Sequence, residues 1–99
     1  MADFEISAGK LTVNRDLQSE FEEDFKAKCS ELLESPEEQL VLDLSAVGYM
    51  RSYHLSISVN LFLDAQERGK SLRIIVSPKI EKLFDMAGLL VALDVEVAS

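Results

Sequence analysis

Two short apolar runs constrain the fold most: "LVLDL" at Leu40–Leu44 and "LRIIV" within Leu72–Val76, separated by sequence that reads as helix from Ser52 to Gly69. Apolar runs of this length bounded by polar residues read as strands, and strands joined through a helix pair in parallel. The connection is then a right-handed crossover, the hand that packs the helix back onto the sheet. The continuous character of the first run predicts a strand covered on both faces, with Asp43 as its odd residue.

The rest of the chain fills in around this unit. "FEISAGKLTV" predicts a hairpin, Phe4–Ser7 with Lys10–Val13, turning at Ala8-Gly9. After Asn14 and Asp16, either of which suits a cap, Leu17, Phe21, Phe25, Cys29 and Leu32 make one helical stripe ending near Ser35-Pro36. "SPKIEKLFDMAGLL" predicts a further helix, with Ser77 as cap, Pro78 at the first position, Ile80, Leu83, Phe84 and Ala87 on one face, and Gly88 at the end. A last strand is expected over Leu93–Val97. The order β-β-α-β-α-β-α-β makes an α/β domain with a mixed, mostly parallel sheet and packed helices. Ninety-nine residues suffice for one such domain, 1–99, with Phe21, Phe25, Leu42, Leu44, Ile74, Leu83 and Phe84 in its core.

Composition excludes several functions. A formal charge of −8, from 18 acidic against 10 basic residues, opposes binding to nucleic acid. No run is long enough for direct membrane insertion, and "MADFEISAGKLTV" lacks the basic start of a signal peptide. The expectation is a cytoplasmic monomer whose mature chain starts at Met1. Cys29, the single cysteine, is expected to be a buried structural thiol. Without a P-loop, dinucleotide fingerprint, metal-ligand cluster or paired carboxylates, no catalytic residue, metal or cofactor is expected. A phospho-acceptor receiver domain would need clustered acids near the end of its first strand, where "KLTVNRD" supplies Asp16 alone.

Interest falls on "VGYMRSYHLSISVNLF", Val47–Phe62. The loop 45–51 leaves the strand at Leu44 and delivers Ser52 beyond its carboxyl end, where functional residues of parallel sheets gather. At a helix N-terminus the Ser52 hydroxyl either caps the helix or carries a phosphate that the dipole would stabilise. Arg51 either pairs with that phosphate, meets a partner's carboxylate, or is a solvated loop arginine. His54, the single histidine, reads as a partner contact or a first-turn surface residue. Leu55, Val59, Phe62 and Ala65 make one apolar stripe, while Tyr53, Ile57 and Leu61 point elsewhere. A sheet covers only one face, so the second is expected to bind a protein. Arg51, Ser52, Tyr53, His54, Ile57 and Leu61 are the partner-binding candidates.

Three segments, "VLDLSAVGYMRS", "LFLDAQERGKSLRIIV" and "SPKIEKLFDMAGL", together resemble the STAS domain of bacterial anti-sigma factor antagonists over most of the chain. In that family the loop reads aspartate, serine, serine or threonine, glycine, leucine, glycine. Here the same positions are Arg51, Ser52, Tyr53, His54, Leu55 and Ser56, so the serine and leucine match while the aspartate and both glycines do not. The resemblance implies a STAS-like fold and a regulator of transcription that is not itself an enzyme. Its partners would be an anti-sigma factor serine kinase and a serine phosphatase, with phosphorylation at Ser52 ahead of Ser56 and Ser58. ATP and Mg²⁺ would belong to the kinase, leaving this chain without a cofactor. The departures at Arg51, His54 and Ser56 favour the alternative, a non-phosphorylated scaffold subunit of a regulatory or lipid-transport complex.

Overall fold

In the computed structural model, which describes residues 2–98, strands β1 (Phe4–Ser7) and β2 (Lys10–Val13) form the expected antiparallel hairpin. Its two-residue turn has Ala8 at φ 51° and Gly9 at φ 78°. Glycine at the second position is required twice over. It relieves the left-handed backbone, and a Cβ there would lie 2.8 Å from the Glu37 Cβ.

Strand β3 (Gln39–Leu44) lies parallel to β2, β4 (Ser71–Val76) parallel to β3, and β5 (Val95–Val97) parallel to β4. Helix α1 (Glu22–Leu33), entered through a single 3₁₀ turn at Ser19–Phe21, joins β2 to β3. Helix α2 (Ser52–Glu67) joins β3 to β4, and α3 (Pro78–Met86) joins β4 to β5. This is the expected order, a five-stranded mixed and mostly parallel sheet with three helices. The last strand is shorter than expected: Leu93 is buried just ahead of it rather than paired within it.

Spatial strand order follows chain order, β1-β2-β3-β4-β5, without reversal. Crossovers that all step the same way with the same hand place their helices on the same face. Leu11, Val13, Leu40, Leu42, Leu44, Leu72, Ile74 and Val76 are accordingly buried, while Lys10, Thr12, Val41, Asp43, Arg73 and Ile75 alternate onto the open face. The expectation that "LVLDL" is covered on both faces is therefore corrected. Asp43 stands on the open side, 3.4 Å from the Lys10 ammonium and accepting from the Ser45 N–H at 3.0 Å. Partial burial pushes its pKa up, but the Ser45 hydrogen bonds and Lys10 outweigh that and hold the carboxyl below its usual range.

Packing also corrects the reading of α2. Its buried residues are His54, Ile57, Ser58, Leu61 and Ala65, whereas Leu55, Val59 and Phe62 are half-buried. The sheet covers one side of the helix and α1 covers a second. Ile57 and Leu61, expected to meet a partner, are core residues at the α1–α2 seam. Phe25, Leu42, Leu44, Ile74 and Phe84 are fully buried as expected, while Phe21 and Leu83 are half-buried. Cys29 is buried, which pushes its thiol up to about 12.

Helix α3 ends as its sequence indicates. The Ser77 hydroxyl accepts from the Ile80 N–H at 3.3 Å, and at Gly88 (φ 72°) the chain turns so that the Leu89 N–H reaches the Phe84 carbonyl at 2.8 Å. Neither Asn14 nor Asp16 caps α1. The Asn14 amide donates to the Ala2 carbonyl and to Glu5, and Asp16 reaches elsewhere. Among the described residues no helix is long and apolar enough to cross a membrane.

Ile57→Asp would put an unpaired carboxylate into the seam between α1 and α2. A loss of about 3 kcal/mol or more of unfolding free energy is expected in urea titration. A loss within about 0.5 kcal/mol, typical of surface positions, would return Ile57 to the exposed face of α2.

Candidate functional site

The loop 45–51 is tied down from both sides. Its Gly48 N–H donates to Asp16 Oδ1 at 2.7 Å, and its Tyr49 carbonyl accepts from the Leu17 N–H at 2.8 Å. From the other flank the Ser77 hydroxyl, while capping α3, donates to the Val47 carbonyl at 2.6 Å. Val47 and Met50 are buried beneath the loop. Polar tethers above and apolar anchors below leave Tyr49, Arg51, Ser52 and Tyr53 displayed on a fixed frame.

Arg51 is the N-cap residue of α2, with extended backbone, and Ser52 is the first helical residue. The expected cap is thus misplaced by one position. The stabilising contact comes from the third helical residue, where His54 Nδ1 accepts from the Arg51 N–H at 3.1 Å. This is the returning half of a capping box, with imidazole in the place that Glu or Gln usually holds. The assignment makes Nδ1 the acceptor and leaves the proton on Nε2, which is buried without a hydrogen-bond partner. His54 is 0% exposed, its ring set edgewise against Phe25 (centroids 5.6 Å apart) and Tyr53 (6.4 Å). It is neither a partner contact nor a surface residue, which corrects the sequence reading. Burial holds its imidazole below the usual range. Glu22 opposes that shift and the Arg51 charge reinforces it.

With capping handed to His54, the Ser52 hydroxyl makes no hydrogen bond among the described residues and stands exposed. It opens onto a groove of about 410 Å³ lined by Glu22 of α1, residues 49–53, Leu55 of α2 and Leu83 of α3. Arg51 Nε lies 3.6 Å from Glu22 Oε2, an ion pair that ties the loop to the first turn of α1. Tyr49 and Tyr53, 48% and 39% exposed, give the groove an aromatic rim. Among the described residues no three His, Cys, Asp or Glu side chains are grouped to hold a metal ion. The arrangement suits recognition: a shaped apolar surface, one ion pair and one free hydroxyl on a rigid support.

A family profile described as "Mlab, STAS domain" matches residues 1–93. The chain belongs to the STAS domain family. No curated protein matches it. Among solved structures this STAS domain is similar to the anti-sigma factor antagonist SpoIIAA in its unphosphorylated form, at 16% identity and a TM-score of 0.74 over 97% of this chain and 86% of that one. It is also similar to a protein of Thermotoga maritima described as an anti-sigma factor antagonist, at 19% identity and a TM-score of 0.78 over 97% and 85% of the two chains.

Of the six candidate residues of the STAS domain, Arg51, Ser52 and Tyr53 come together on the groove, while His54, Ile57 and Leu61 are buried in the core, the last two at the α1–α2 seam. Sequence reasoning missed Glu22, Tyr49, Met50, Leu55 and Leu83 as lining residues, and Asp16 and Ser77 as tethers. Leu83 carried a legible signal, because with Met86 it marks an apolar edge of α3 turned away from Phe84. The pairing of Arg51 with Glu22, far apart in the chain, carried none.

The depressed basicity of His54 sets a pH dependence. The unfolded chain holds a proton below about 6.5 that the folded chain refuses, so stability is complete above that value and falls as pH drops toward the lower folded value. His54→Gln keeps a carbonyl acceptor for the Arg51 N–H and removes the titration. Urea midpoints measured between about pH 5 and 8 are expected to fall on acidification more steeply for the parent than for the variant. Parallel curves would mean that His54 is not buried in its neutral form.

Proposed function

We propose that this STAS domain is a non-enzymatic regulatory module that docks a protein partner over the groove beside Ser52, with Ser52 as the phosphoacceptor that controls docking. The observation that carries the reading is the free, exposed hydroxyl of Ser52 at the first position of α2, relieved of capping by His54. A phosphate there adds about −1.5 to −2 charges where the helix dipole stabilises them, so the domain stays folded while its docking face becomes negative. Arg51, the neighbouring residue, is the nearest cation to receive it. Ser58 is buried, its hydroxyl donating to the His54 carbonyl at 2.9 Å, which leaves Ser52 and Ser56 as the accessible serines of this helix turn. Similarity to anti-sigma factor antagonists supports an anti-sigma serine kinase as the partner class, with a serine phosphatase to reverse the step.

A second reading, a scaffold subunit of a regulatory or lipid-transport complex without phosphorylation, is favoured by one observation. Arg51 stands where the antagonists carry an acid, and it is engaged by Glu22.

Mass spectrometry of the protein from its native cells, with and without the candidate kinase, is expected to find phosphate on Ser52 only when the kinase is present. Ser52→Asp is expected to weaken binding to that kinase. Ser52→Ala should bind as the parent does and lose no more than about 0.5 kcal/mol of stability, because Ser52 is not the cap. An unmodified Ser52 under conditions where the kinase phosphorylates another substrate, with Ser52→Asp binding undiminished, would replace the switch by the scaffold.

A further inference from the structure

We infer that His54 is a proton-operated latch on the start of α2: a proton taken up by its buried imidazole expels the Arg51 N–H, frays the first turn of the helix and withdraws the surface that presents Ser52. The latch rests on the reading of this groove as a docking surface only for its consequence, since the opening itself needs no partner.

The Arg51 backbone N–H is a donor at every pH, so the imidazole nitrogen 3.1 Å from it is the unprotonated one. A proton on Nδ1 would set two donors against each other and abolish the contact that starts the helix. Both ring N–H groups would then be orphaned, because Nε2 is already buried without a partner among the described residues. The new charge would also stand at the positive end of the α2 dipole. Its surroundings answer it poorly. Helix α1 offers Phe25 and the Glu22 carboxylate, the loop offers the Arg51 guanidinium, and α2 itself offers Tyr53 and the Ser58 hydroxyl, which donates to the His54 carbonyl. The helix-covered face of the central strands is aliphatic, with Leu42, Leu44, Ile74 and Val76. Glu22, the one facing carboxylate among the described residues, is already engaged by Arg51 Nε at 3.6 Å.

Relief by local opening is at hand. His54 lies in the first turn, so swinging it into water disrupts that turn alone. From Ile57 onward α2 is held by α1 and the sheet, and Val47, Gly48 and Tyr49 keep their tethers to Ser77, Asp16 and Leu17, none of which involves His54. The opening is thereby confined between Tyr49 and Ile57. A solvated imidazole takes up its proton near the ordinary value of about 6.5, the enclosed one only below it. The open form therefore gains on the closed form as pH falls through about 6.5, by as much as about tenfold per pH unit. Docking over Ser52 would weaken on acidification while the sheet and its helices stay in place.

The test is the amide protection of Arg51, followed by NMR on the folded chain between about pH 5 and 8, together with the titration of the His54 ring carbons. Each exchange rate is divided by that of an unstructured amide at the same pH, and Leu17 and Gly48 serve as internal references. Arg51 protection is expected to fall by up to about tenfold per pH unit below about 6.5, in step with the ring titration, while Leu17 and Gly48 hold theirs. In His54→Gln, which keeps an acceptor for the Arg51 N–H, the protection of Arg51 should not vary with pH. A ring that titrates with no loss at Arg51, or a loss at Arg51 shared equally by Leu17 and Gly48, would overturn the latch, as would the parent's pH response persisting in His54→Gln. Should that variant fail to fold, the ring titration of the parent decides by itself whether the loss at Arg51 follows His54. A groove that docks no partner while Arg51 still responds to pH would remove the docking reading and leave the latch standing.

Discussion

The structure depends on a sheet wound in one direction only. Because each crossover steps from a strand to its next neighbour, three helices must share one face, and the other face is left to Lys10, Asp43, Arg73 and the residues between them. Three helices on one side of a small sheet cannot all lie flat beside each other without touching. Helix α2 is therefore wedged against both the sheet and α1, and residues on two of its sides are buried. That wedging takes His54, Ile57 and Leu61 away from any partner. It also fixes the direction in which the start of α2 emerges.

A second layer of constraint acts at that start. Asp16 and Leu17 hold the loop after β3 from the hairpin side, Ser77 holds it from the α3 side, and His54 pins the Arg51 amide from within the core. Each of these groups does ordinary structural work, satisfying a backbone group that would otherwise be orphaned. Together they leave one hydroxyl, one ion pair and an aromatic rim facing outward. A recognition surface built this way changes by adding charge to Ser52, with no rearrangement of the fold behind it.

The fold was largely legible in the sequence because its signals are local. The Ala8-Gly9 turn, the Ser77-Pro78 start and Gly88 stop of α3, and the two apolar strands each declare themselves within a few residues. The STAS resemblance led to the same architecture. The site was legible only at Ser52, Arg51 and Tyr53. The error over His54, Ile57 and Leu61 arose because periodicity assigns residues to a face but does not tell which face a neighbouring helix will cover. A lone histidine in the first turn reads as polar and exposed; only burial against Phe25 with its Nδ1 on a backbone amide shows it to be an internal cap. The tethers from Asp16 and Ser77, like the Glu22–Arg51 pair, join residues about thirty positions apart, beyond any local pattern.

The central claim is that Ser52 is presented by a rigid frame rather than by a mobile loop, and amide hydrogen exchange at the frame's own donors tests it most directly. The N–H groups of Leu17, Gly48 and Arg51 are each bonded across the loop or into the core. They are expected to exchange far more slowly than free loop amides, with Gly48 losing its protection in Asp16→Ala. Exchange of all three at the rate of unstructured backbone would contradict the frame and, with it, the presentation of Ser52.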